Sequence, residues 1–191
     1  MKKLMYVLTF AAFAGAALAK EIDLRVMTDQ SGDYDVAFCA RPSPDTTGKP
    51  GHAFVSFSHV QASGDRDFLA IGHTVGADVS PAKAIWSYFG SPVSGLLKEE
   101  RYTAIKQNCL DVNVNKADYD RAKAFTADPL AQLGISATDG VVLEAYKLGS
   151  DDCMTFLIDV ANSLKSRGLH VPQRNSGELP MAYVQRLSDA N

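Results

Sequence analysis

The sequence lacks the spacings that most metal and nucleotide chemistries need. It contains no Cys-x2-Cys, His-x3-His or His-Glu-x2-His, and its four histidines are scattered at 52, 59, 73 and 170. The ligand sets of structural and hydrolytic zinc are therefore missing, and no metal is expected. There is no glycine-rich phosphate loop and no Gly-x-Ser-x-Gly elbow, so nucleotide cradles and serine hydrolases of that type drop out and no cofactor is expected. Basic residues are not in excess: 19 Lys and Arg against 22 Asp and Glu give a net charge of −3. A mildly acidic chain without a basic stripe fits neither nucleic acid nor simple electrostatic adhesion to an anionic membrane. No internal repeat, low-complexity tract or interdomain linker is visible.

What is present begins with a targeting segment. Lys2 and Lys3 precede an apolar run from Met5 to Ala14, and Ala17-Leu18-Ala19 forms a small-x-small cleavage site. This pattern predicts a secretory signal peptide over 1–19; the run is too short for a membrane span, and no integral span is expected after cleavage. Removing 19 of 191 residues leaves 172, enough for one domain with a real core, and takes the charge from −3 to −5 by removing two lysines. A single domain over 20–191, secreted or periplasmic, is the expectation. Three cysteines remain, Cys39, Cys109 and Cys153. In an oxidising compartment an odd count leaves one unpaired or joined to another chain. Parity favours a Cys39–Cys109 disulfide; the other reading makes both small buried hydrophobes.

Along the chain, Ile22-Leu24-Val26 alternates like an edge strand. Arg41 to Pro50 is a proline-rich loop. Gly51 to Val60 is the clearest strand, and Phe68 to Val75 returns as its partner, so 51–75 reads as a β-hairpin. Glycines and prolines interrupt 76–96, where Ala82 to Phe89 has room for a helical turn or two. Glu99 to Val114 reads as a strand. Asn115 resembles an N-cap for a helix from Lys116 to about Ala127, with Tyr119, Ala122 and Phe125 on one face and Asp128-Pro129 as its stop. Leu130 to Asp139 is loop-like, and Val141 to Tyr146 suits either strand or helix. Asp151 or Asp152 then caps a helix of about fifteen residues. Its apolar positions 153, 156, 157, 160, 161 and 164 share a face, and Gly168 ends it. Met181 to Leu187 reads as a short closing helix.

Two local contexts carry chemistry. Cys153 stands in the first turn of its helix, where the macrodipole and unpaired backbone N–H groups favour thiolate over thiol. His52 opens the clearest strand. Brought together, they form a nucleophile and its base, and the Cys153 N–H can help hold an oxyanion. Taken singly, each has a plain structural use: Cys153 as a core residue on an apolar stripe, His52 as a hydrogen-bonded strand residue.

The run Gly51-His52-Ala53-Phe54-Val55, a hairpin, a helix near 116–127, then Tyr146-x-Leu148-x4-Cys153-x2-Phe156 and Leu169-x-Val171-Pro172 resembles the circularly permuted papain-like superfamily. That group comprises the permuted NlpC/P60 and lecithin:retinol acyltransferase-like proteins, in which the histidine strand precedes the cysteine helix. The resemblance covers most of 50–187 and implies Cys153 as nucleophile and His52 as base. Many members carry asparagine where this chain has Asp152. The family's histidine-orienting polar residue normally lies on the neighbouring strand, where His73 is the available ionisable group. A hairpin centred on Gly64-Asp65 would set His73 opposite Ser56, about four residues from His52; a turn two residues earlier would bring the two histidines together. His59 and His170 receive no role.

The expected fold is therefore α+β, a small antiparallel sheet packed on a central helix that carries Cys153. The expected function is a secreted or periplasmic cysteine hydrolase cleaving an amide or ester by Cys-His acyl-enzyme chemistry. The resemblance implies a peptide, cell-wall or acyl-lipid substrate, with peptidoglycan peptides preferred. The alternative is a non-catalytic secreted binding domain that keeps the fold.

Overall fold

The strand rich in Phe, Val and Ser that the sequence marks most clearly lies at the centre of the sheet. In the computed structural model, which describes residues 20–26, 32–42, 51–61, 63–100, 107–133 and 145–191, β3 spans His52–Val60. Six successive residues of it, Ala53 to Ser58, are buried. Ala53, Val55 and Phe57 enter the main core on one face, and Phe54 packs with Ala37, Cys39 and Ala70 on the other. On one side β3 pairs antiparallel with β2, Asp33–Arg41; on the other it pairs with β4, Arg66–Val75.

The sheet is larger than the small one expected. It has seven strands in the order β1-β6-β2-β3-β4-β5-β7, adding β1 (Lys20–Asp23), β5 (Val93–Glu99), β6 (Asn108–Val114) and β7 (Ala145–Tyr146). All neighbours are antiparallel except β1, which runs parallel to β6 at the edge. The single strand expected over Glu99–Val114 is instead the end of β5 and the whole of β6. Residues 102, 104 and 105 lie outside the described residues, as do the signal segment and 141–144. β5 was hidden by Pro92 and Gly95, which read as loop. Gly95 has a packing reason: a Cβ there would press on His73 and on Tyr146. Glycine in a strand marks such close approach.

One face of the sheet carries Val36, Phe38, Ala40, Ala53, Val55, Phe57, Leu110, Val112 and Val114 into the main core. Three helices cover it: α2 (Lys116–Leu133), α3 (Cys153–Asn162) and α4 (Pro180–Asp189). The short α1, Pro81–Trp86, lies apart near the β4–β5 connection. The α3 stripe buries Cys153, Met154, Leu157, Val160 and Ala161 as its spacing requires. It is ten residues long, not fifteen. The chain tightens into a 3-10 turn at Lys165–Arg167, and Gly168, at φ 107°, ends that turn instead.

α2 begins where expected, with the Asn115 carbonyl accepting the Tyr119 N–H at 2.9 Å; the Asn115 side-chain oxygen accepts the Val26 N–H at 2.8 Å and ties the segment after β1 to the helix start. The helix continues to Leu133 through Asp128-Pro129. A proline removes its own hydrogen bond to the preceding turn without forbidding further helix beyond it. Tyr119 and Ala122 are buried, whereas Phe125 is 43% exposed. Met181 to Leu187 falls within α4 as expected. Among the described residues no helix is long and apolar enough to cross a membrane.

Cys39 and Cys109 lie directly opposite each other on β2 and β6 and form a disulfide across 70 residues. Cys153 is the free cysteine. Closing a loop of that length restricts the unfolded chain, so replacing both cysteines by alanine is expected to lower stability by about 2–4 kcal/mol. Urea denaturation of the double variant beside the oxidised parent measures it.

Candidate functional site

The start of α3 is built by one carboxylate. Of the two candidate aspartates, Asp152 is the N-cap; its side chain accepts the Met154 and Thr155 N–H groups at 3.0 and 3.2 Å, and the Gly149 N–H at 2.7 Å. The guanidinium of Arg174 donates to both of its oxygens at 2.8 and 2.9 Å. The half-buried guanidinium of Arg174 thus pairs with the charge of the buried cap. Burial pushes the Asp152 carboxyl up, but the Arg174 and backbone hydrogen bonds outweigh it and hold the pKa below the usual range. Asp152 does not take the Cys153 N–H, so that group stays at the head of the helix beside the sulfur.

His52 stands at the first residue of β3, half-buried. Its Nε2 lies 2.8 Å from Oε1 of Glu100, the residue that follows β5, and Glu100 Oε2 accepts from Arg41 at 2.6 Å. Glu100 therefore reaches His52 from two strands away, across β4. It can do so because Gly72 stands between: a Cβ there would collide with His52 Nε2 and crowd Glu100 Oε1. The remaining ring nitrogen, Nδ1, is left for Cys153. Burial pulls the His52 pKa down, but hydrogen bonds to Cys153 and then Glu100, with their charges, outweigh it and raise the value from 6.5 to about 9. Glu100 responds in the opposite sense: burial raises its pKa, and His52, then Arg41 and Lys98, bring it below normal.

The helix that Cys153 opens packs on the strand that His52 opens, and the carboxylate at 2.8 Å from the His52 ring is that of Glu100. β3 and β4 pair Val55 with Ile71, so the hairpin is centred near Ser63 and His73 comes closer to His52 along the strand than a Gly64-Asp65 centre allows. Successive residues of a strand point to opposite faces. Gly72 is the one beside His52, and His73 is directed toward Tyr146 (ring centroids 5.3 Å apart) and Asp151 (4.0 Å). Glu100 offered no motif. The isolated Gly72 within an apolar strand was the available signal, since it marks a close approach without naming the partner. His59 stacks on Tyr34 at 4.2 Å, and the backbone of His170 binds Asn191.

Two cavities meet at this point. One, of about 460 Å³, is lined by Cys153, Asp152, Tyr88, Tyr146, Arg174 and the 175–180 segment. The other, of about 300 Å³, is lined by His52, His73, Val75, Val79, Ile85 and Leu148 among others. Gly51, Tyr146 and Leu148 border both. Cys153 is 5% exposed, and that exposure opens into the larger cavity. Among the described residues no group of His, Cys, Asp and Glu has a metal-binding arrangement.

A raised histidine pKa has a definite sign. The stability it contributes is fully present below pH 6.5 and is lost as pH rises through about 9. The His52 Cε1 proton is expected to titrate near pH 9 by NMR, and to move toward 6.5 in Glu100→Gln and in Gly72→Ala. An unmoved midpoint in both variants would show that Glu100 does not hold the ring. At the helix start, Asp152→Ala removes the cap and leaves the half-buried Arg174 without its counter-charge, and is expected to cost about 1–3 kcal/mol in denaturant unfolding. Asp152→Asn keeps a capping acceptor and is expected to cost less.

No protein-family model matches this chain, and no curated protein matches it. Among solved structures, the crystal structure of the type VI secretion system effector TseH is similar, with 12% sequence identity and a TM-score of 0.47 over 84% of this chain and 90% of that one.

Proposed function

We propose that residues 20–191 form a single permuted papain-like domain, a secreted or periplasmic cysteine hydrolase that cleaves an amide or ester through an acyl-enzyme on Cys153. The observation that carries this reading is the position of His52, whose ring lies 2.8 Å from the Glu100 carboxylate at the opening of the strand that packs against the Cys153 helix. A sulfur, a ring that takes its proton and a carboxylate that steadies the ring are the working parts of a thiol nucleophile. The disulfide is compatible with an oxidising compartment outside the cytoplasm.

In the proposed reaction His52 Nδ1 takes the thiol proton and Sγ attacks the acyl carbon. The carbonyl electrons move to oxygen, where the Cys153 N–H at the head of α3 donates to them. Collapse breaks the bond to nitrogen or oxygen, and the leaving group takes the proton from His52. Water then gives a proton to His52 and attacks the thioester carbonyl. The C–S bond breaks, the acid departs and Sγ recovers the proton. Throughout, Glu100 stabilises the imidazolium and fixes the ring, so it is a positioning residue. His73 borders the cavity beside His52 and shapes the space for the acyl group. Cell-wall peptides are the preferred substrate, on the resemblance of the His52 and Cys153 motifs, with acyl esters second.

Hydrolysis of peptidoglycan peptides and of acyl esters is the direct test. Cys153→Ala is expected to abolish turnover, and His52→Ala to lower kcat by about 10²–10⁴. Glu100→Gln is expected to lower kcat while leaving KM nearly unchanged. Turnover that survives in Cys153→Ala refutes the mechanism. A chain that binds these substrates without cleaving them is the secreted binding domain instead.

A further inference from the structure

The α1 segment displays side chains that a water-facing surface does not need. Ile85, Trp86, Tyr88 and Phe89 are 48%, 68%, 40% and 78% exposed. They are held outward by a rigid frame. Ser80 caps α1 and accepts the Lys83 N–H. Ser87 is buried between them, donating to the Ala84 carbonyl at 2.6 Å and accepting the Leu148 N–H at 3.1 Å. From Val79 through Lys98 the chain contains two lysines and no carboxylate, with Asp78 before this stretch and Glu99 and Glu100 after it.

We propose that this patch docks the protein onto a phospholipid bilayer, with Trp86 and Phe89 entering the headgroup–acyl boundary. Three observations select that occupant. A cluster of exposed aromatic side chains is the chemistry that settles at a lipid interface. The patch is too small for a second copy: four side chains of this size offer roughly 500 Å², against about 800 Å² per partner in a stable dimer. The rings do not form the flat platform that would stack a sugar, because Phe89 meets Trp86 at 66° and Tyr88 at 77°. The docking is a matter of few apolar contacts rather than charge, so it agrees with a chain that lacks a basic stripe. It also brings both cavities to the bilayer, since Ile85 lines one and Tyr88 the other. The proposal does not depend on Cys153 being a nucleophile.

Trp86 is the chain's single tryptophan, so its emission reports this patch alone. The full chain is titrated with vesicles of phosphatidylcholine, and of phosphatidylcholine with phosphatidylglycerol. Expected are a blue shift of Trp86 emission, quenching by brominated acyl chains, and about tenfold weaker vesicle binding in Phe89→Ser. Phe125→Ser, which removes an exposed aromatic on α2, is expected to bind as the parent does. Four results would overturn the proposal. Vesicles that sediment the protein without moving the emission would place the attachment in another segment. A shift that depends on protein concentration without vesicles would assign the patch to a second copy. Emission already blue and shielded from acrylamide in buffer would mean that the chain covers the patch itself. A shift produced by soluble glycans and not by lipid would assign it to sugar.

Discussion

The sheet and the helix that covers it converge on one imidazole, which lies 2.8 Å from a carboxylate. His52 is at the first residue of the central strand, Cys153 at the first residue of the helix that covers it, and Glu100 just beyond a strand two places away. None of these is close to another in sequence. The sheet supplies the juxtaposition, and the absence of a side chain at Gly72 lets it close. Without that gap His52 and Glu100 would lie on the same face with a methyl group between them.

Charge is arranged around this ring with a counter-ion for each anion. Arg41 pairs with Glu100 behind His52, and Arg174 pairs with Asp152 beneath Cys153. The two carboxylates nearest the reacting groups are thus each neutralised, one by a cation from β2 and one from the segment leading to α4. The two aspartates immediately before the cysteine are both engaged elsewhere. The first of them, Asp151, turns toward His73, and the second is committed to the cap and to Arg174. Breaking either pair would leave a charge in a low-dielectric setting, which is where such charges matter most.

What could be read from the chain follows how local each signal is. His52–Val60, the start of α3 with its cap, the closing helix and the parity of the cysteines all rest on residues within a few positions of one another, or on a count, and the structure agrees with them. β5 could not be read, because Pro92 precedes it and its Gly95 serves a neighbour, Tyr146, that is distant in sequence. The length of α3 was overestimated because an apolar stripe continues through a 3-10 turn as readily as through a helix. Glu100 and Arg174 were invisible for a simpler reason. A lone charged residue in a polar stretch has no pattern, and its partner is set by strand order alone.

The central claim is that His52 controls the reactivity of the Cys153 sulfur. Cys153 is the free cysteine, so its alkylation by iodoacetamide reports that one atom. The parent is expected to alkylate at least about tenfold faster than His52→Ala, since a neighbouring imidazole takes the thiol proton as the sulfur attacks. Glu100→Gln is expected to fall between the two. Equal rates in the parent and in His52→Ala, with both folded by circular dichroism, would contradict the account.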